Sequence, residues 1–89
     1  MKPNSYKPYS DRVLITKDDY VGKIHYDYEI KEINKGEDTY YNLLIAIDWT
    51  VMKDLSSSSF DFLRNYAIGY IEWLHWMAKV MREFIWYLY

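Results

Sequence analysis

Hydrophobic and polar residues alternate most regularly between Lys23 and Ile33. Apolar or aromatic residues fall on one face and charged residues on the other: Ile24, Tyr26, Tyr28 and Ile30 against His25, Asp27, Glu29 and Lys31. A period of two is typical of a β-strand that packs on a core with one face. The polar segment 34–38 then predicts a hairpin loop, in which Gly36 adopts a positive φ.

The alternation continues in a return strand from Thr39 to Val51. Its inward positions are Tyr41, Leu43, Ile45, Ile47 and Trp49. Because both faces are apolar near Leu43–Ile47, the pattern places this strand at the centre of the sheet. The β-branched run 12–16 predicts an earlier strand that ends in a turn at 17–19.

These segments predict a three-stranded antiparallel β-meander over residues 12–51. An irregular N-terminal arm precedes it over residues 1–11, because Pro3 and Pro8 disfavour regular structure there. A helical pattern follows over 58–89, where Ser58 and Asp61 have the spacing of a capping box. The predicted fold class is α+β: a three-stranded meander followed by one long C-terminal α-helix packed on the sheet, in a single domain.

Two apolar seams run along the predicted helix. The first contains Ala67, Ile71, Leu74, Ala78, Met81, Ile85 and Leu88. The second contains Tyr66, Tyr70, Trp73, Met77, Val80, Phe84 and Tyr87. Together they cover an arc of roughly 200°, whereas a helix on one sheet needs an apolar stripe only a little over 100° wide.

The excess apolar surface predicts an interface along the second seam. Three strands cover one seam, and the chain has no second helix for the other, so a homodimer is expected. An alternative is that a strongly curled sheet and the tyrosine-bearing arm cover both seams within one chain. The chain has 89 residues and a net charge of −2, and its aromatic content is 20%.

Motifs for catalysis are missing from the sequence. It has no cysteine, no glycine-rich phosphate loop and no metalloprotease or hydrolase signature, so we expect no enzyme, no metal and no cofactor. His25, Asp27 and Glu29 share the outer face of a strand, and Asp48 approaches from the next strand. Such residues can ligate metals or transfer protons, but they also serve solubility; we retain them as partner-binding candidates.

Charged residues suggest two further surfaces. Acidic side chains cluster on or near the hairpin and would suit a basic groove, although we prefer the interpretation that charge on strand edges blocks aggregation: Asp27, Glu29, Glu32, Glu37, Asp38 and Asp48. The basic arm, with Tyr6 and Tyr9, gives the alternative function, a nucleic-acid-binding regulatory protein.

The polar N-terminus predicts no signal peptide, and charges within 66–89 argue against a membrane span, so a cytoplasmic location is expected. A short, cysteine-free, tyrosine-rich chain without catalytic motifs resembles the small accessory proteins of viruses and mobile elements. That resemblance implies binding to a host macromolecule. We therefore expect a small non-enzymatic interaction protein or inhibitor that self-associates through its helix and binds a partner protein.

Overall fold

A computed structural model describes the backbone of residues 9–88 and the side chains of residues 9–82. Four strands and one helix follow in chain order: β1 Tyr9–Val21, β2 Ile24–Lys35, β3 Asp38–Ile47, β4 Thr50–Ser57 and α1 Phe60–Leu88. The strands form one antiparallel sheet in the order β1-β2-β3-β4. The predicted α+β class is confirmed, but the prediction of three strands is wrong.

The fourth strand arises because the predicted return strand is interrupted after Ile47. Asp48 and Trp49 both have positive φ, 48° and 70°, and Ile47 pairs with Thr50 across them. Positive φ at both central residues defines a type I′ hairpin turn, which usually contains asparagine or glycine. Because neither residue type is present, sequence reasoning continued the strand through this turn.

The first strand is longer than the sequence predicted. β1 does not end at the predicted turn 17–19 but continues to Val21, and the turn falls at Gly22–Lys23, with Gly22 at φ 63°. A bulge at Leu14 shifts the register between Val13 and Ile15. The strand also starts at Tyr9, inside the predicted arm; residues 1–8 lie outside the described residues.

The core lies between one face of the sheet and the first seam of α1, which we call the inner seam. Ile30, Leu43 and Ile45 pack with helix residues at the start of α1, and a second buried cluster of Val21, Tyr26, Ile71 and Leu74 lies near the β1–β2 turn. The inward positions predicted from Tyr26 to Ile30 and from Tyr41 to Ile47 are confirmed, because these residues pack in the two clusters. The inward position predicted for Trp49 is wrong, because the residue lies in the β3–β4 turn and stacks on His25 on the opposite face. The opposite sheet face is not covered by α1.

The helix begins one residue later than the predicted capping box implies. Ser59, and not Ser58, caps it: the Ser59 hydroxyl accepts a hydrogen bond from the backbone N–H of Phe62 at 3.1 Å. Phe62 therefore occupies the third helical position, where a capping box needs an acidic side chain. Asp61 lies in the first turn, near the positive end of the helix dipole.

The helix is longer than the sheet can cover. Ala78 is the last described helix residue that packs against the core clusters, and α1 continues to Leu88, about 15 Å further at 1.5 Å per residue. The Cα radius of gyration is 17.8 Å, against about 12 Å for a compact chain of this length. We call the part of α1 after Ala78 the overhang.

Candidate functional site

Apolar side chains on α1 that face away from the sheet form a first candidate surface. We call Phe62, Tyr66, Trp73, Trp76 and Val80 the outer stripe; Tyr66 lies at its edge and is half-buried, and the other four are exposed. These residues and Gly69 are separated by steps of four and three, so they line one side of the helix. Trp73 is 48% exposed and Trp76 is 59% exposed, although indole rings this large are usually buried in a folded chain.

The predicted interface seam overlaps the outer stripe only in part. Trp73 and Val80 are exposed, whereas Tyr66 and Tyr70 are half-buried and pack against the core. Met77 is half-buried as well. The side chains of Phe84 and Tyr87 lie outside the described residues. Phe62 and Trp76 are exposed residues that the sequence reasoning left out of the seam.

An open groove of about 910 Å³ lies where the sheet ends beneath α1. The β1–β2 turn forms one wall, and Leu74, Ala78 and Met81 form much of the other. Met81 continues the inner seam, yet it is 51% exposed because the sheet does not extend below it. In the overhang, Met81 therefore exposes apolar surface on the side of the helix that is buried against the sheet before Ala78.

A third candidate surface lies on the opposite side of the sheet, around His25. Its side chain is almost fully buried, and the residue is 4% exposed. The ring stacks on Trp49 with centroids 3.9 Å apart and contacts the edge of Tyr20 at 5.2 Å. His25 Nε2 lies 2.6 Å from Asp18 Oδ1. The imidazole thus joins the β1–β2 hairpin to the β3–β4 turn.

Backbone hydrogen bonds hold the β3–β4 turn against the same histidine. The Asp48 carboxylate accepts the backbone N–H of His25 at 3.1 Å, and the Asp48 N–H donates to the His25 carbonyl at 2.8 Å. These bonds fix the turn in its positive-φ conformation and bring Trp49 over the imidazole. Trp49 nevertheless remains 74% exposed on its outer side.

One ring atom of His25 has no hydrogen-bond partner. Nδ1 is buried and lies 3.9 Å from Asp27 Oδ2, too far for a hydrogen bond. When Nε2 donates to Asp18, the neutral ring presents Nδ1 as an acceptor, and the Asp27 carboxylate is also an acceptor. A gap between two acceptors is suited to an N–H donor.

The structure brings three of the four predicted partner-binding residues together. His25, Asp27 and Asp48 meet at one end of the open face, and Glu29 lies further along β2, paired with Lys31 at 3.5 Å. Asp18, Tyr20 and Trp49 were missed. Their proximity to His25 depends on the cross-strand register, such as the pairing of Tyr20 with His25, which the alternation pattern does not reveal.

Neither a metal-binding cluster nor a membrane-spanning helix is found in the described part of the chain. Among residues 9–82, no three histidine or acidic side chains are arranged to hold a metal ion. Within the described helix, no stretch is long and apolar enough to cross a membrane.

Comparison of the chain with protein-family models, with curated proteins and with solved structures gives no significant match.

Proposed function

We propose that this chain is a small non-enzymatic interaction protein that self-associates through α1 and binds a partner protein with its sheet. The observation that carries the proposal is the outer stripe, in which Trp73 and Trp76 remain about half exposed after the inner seam is buried. Tryptophan and other aromatic residues are enriched at the centres of protein interfaces.

A second copy of this chain is the occupant that the stripe suits best. Heptad-like spacing is self-complementary, so two helices can pair along it about a two-fold axis. The half-exposed rings of Phe62, Trp73 and Trp76 offer roughly 100 Å² each, or roughly 600 Å² across a symmetric pair. Val80 adds to this area at the far end of the stripe, and the total stays below the roughly 1,200 Å² of a standard interface, which corresponds to a weak, concentration-dependent dimer.

The compositional resemblance to viral and mobile-element accessory proteins supports a host or viral protein as the partner, with this chain acting as an inhibitor or adaptor. Such a protein acts by occupying a surface. Dimerisation doubles the number of its partner-binding surfaces and raises its avidity.

A paired set of variants tests the self-association. Trp73→Gln/Val80→Gln replaces two exposed apolar side chains of the outer stripe, so the variant should remain folded but lose dimer mass in size-exclusion light scattering. Val51→Gln/Met52→Gln is the matched control, because those residues are at least as exposed but lie on β4. The control should keep the mass of the wild type.

Two results would contradict the proposal. One is an equal loss of mass in both variants, since it would point to general solubility effects. The other is unfolding of the helix variant in circular dichroism, because it would show that Trp73 and Val80 belong to the core of a single chain.

A further inference from the structure

Charge is distributed unevenly between the two sides of the molecule. Cross-strand register places seven carboxylates and two lysines on the open sheet face or at its ends: Asp11, Asp18, Asp27, Glu29, Asp38, Asp48, Asp54, Lys31 and Lys35. We call this set the acidic face. Its formal charge is −5 in a chain of net charge −2, which leaves +3 for the rest of the sequence.

Most of these carboxylates are not neutralised by cations within the described residues. Lys31 lies 3.5 Å from Glu29 and 4.0 Å from Asp11, and Lys35 is paired with Asp38 at the end of the β2–β3 hairpin. Asp54 accepts a hydrogen bond from Asn42, which is uncharged. Such a concentration of like charge favours a cationic ligand and accelerates its encounter.

The buried histidine supplies a second, independent indication of a cationic ligand. Nδ1 of His25 and the Asp27 carboxylate face each other across 3.9 Å without a donor between them. An ammonium or guanidinium group carries several N–H donors and no acceptor, so it can satisfy both atoms together. Nδ1 is shielded from solvent, so a ligand's N–H group can reach it only after a neighbouring side chain moves.

Exposed aromatic rings beside the gap favour arginine as the residue that binds. Trp49 and Tyr20 flank His25 and expose most of their surface. A guanidinium group stacks on such rings and forms bidentate hydrogen bonds with carboxylates, whereas a lysine ammonium does only part of this.

We propose that the acidic face binds an arginine-rich segment of a partner protein, with His25, Asp27 and Trp49 at its centre. This inference rests on the proposed function, because it specifies the partner of the interaction protein. It uses the side of the sheet opposite α1, so partner binding and self-association are separable.

An oligo-arginine peptide carrying a fluorescent label is the probe. Fluorescence anisotropy with the full chain should show saturable binding that weakens as salt is raised. Asp27→Asn/Glu29→Gln should weaken it about tenfold, because two central carboxylates are lost. Asp61→Asn/Glu72→Gln removes the same charge from α1 and should change the affinity less than about threefold.

Two results overturn the inference. One is that the wild type does not bind the oligo-arginine peptide, and the other is that both double variants lose the same amount of affinity for it. Preferred binding of an oligo-lysine peptide overturns the assignment of arginine. Circular dichroism of each variant confirms folding, and Trp49→Gly, which removes the ring, should also weaken binding.

The helix variant Trp73→Gln/Val80→Gln separates this inference from the proposed function. It should bind the peptide as the wild type does, even though it is monomeric. Failure of self-association with intact peptide binding would contradict the dimer alone. Failure of peptide binding in an intact dimer would contradict the acidic face alone.

Discussion

The β3–β4 turn concentrates unusual features in a few residues. Asp48 and Trp49 hold positive φ without glycine, and such conformations cost of order 1 kcal/mol or more per residue. Hydrogen bonds between Asp48 and the His25 backbone, and stacking of Trp49 on the imidazole, offset that cost. The strained turn therefore depends on the backbone of His25 and on the ring that Trp49 stacks against.

Two substitutions at Trp49 isolate the strain. Trp49→Ala and Trp49→Gly both remove the stacking, but only glycine tolerates φ 70° without steric cost. We expect the alanine variant to have a free energy of unfolding about 1 kcal/mol lower than the glycine variant. Urea denaturation measures the difference. Alanine being the more stable, as at ordinary positions, would show that the turn is not strained.

Sequence reasoning reached only part of this residue cluster. Alternation correctly placed His25 and Asp27 on the outer face and brought Asp48 near them. Trp49 was assigned to the inner face, because a type I′ turn usually has glycine at its second central position, whereas tryptophan is typical of strands. Asp18 was assigned to a turn, since consecutive polar residues at 17–19 resemble one although they continue β1.

At the scale of elements, α1 has two parts in different environments. Leu63, Ala67, Ile71 and Leu74 are buried on the sheet, whereas Met81 continues the same seam without cover. Helical periodicity correctly predicted that Ala67, Ile71, Leu74 and Ala78 pack on the sheet and that apolar surface on α1 is left exposed, but the side chains of Ile85 and Leu88, assigned to the same seam, lie outside the described residues. It did not predict which side chains are exposed, because that depends on where the sheet ends beneath the helix.

The start of α1 offers a sharp test of its boundary. Ser59→Ala removes the hydroxyl that accepts the Phe62 N–H, so we expect a loss of about 1 kcal/mol in the free energy of unfolding. Ser58→Ala is the matched control, one residue earlier, and should change stability by only a few tenths of that. Thermal melts compare the two. A larger effect at Ser58 would restore the capping box expected from the sequence.

At the scale of the whole molecule, the sheet separates two surfaces of different chemistry. The side that carries α1 has an apolar stripe and an overhang, and the opposite side carries the acidic face. This separation lets a chain of 89 residues pair with itself and still present a charged surface to another protein. The overhang contributes to an elongated molecule, with principal extents of 71 × 22 × 15 Å.

Sedimentation equilibrium of the unmodified chain, over a series of micromolar concentrations, tests self-association most directly. A single chain has a mass of 10.9 kDa. We predict that the measured mass rises toward twice this value with concentration, because pairing of two helices covers Trp73, Trp76 and Val80. A mass that stays at 10.9 kDa throughout the series would contradict the account.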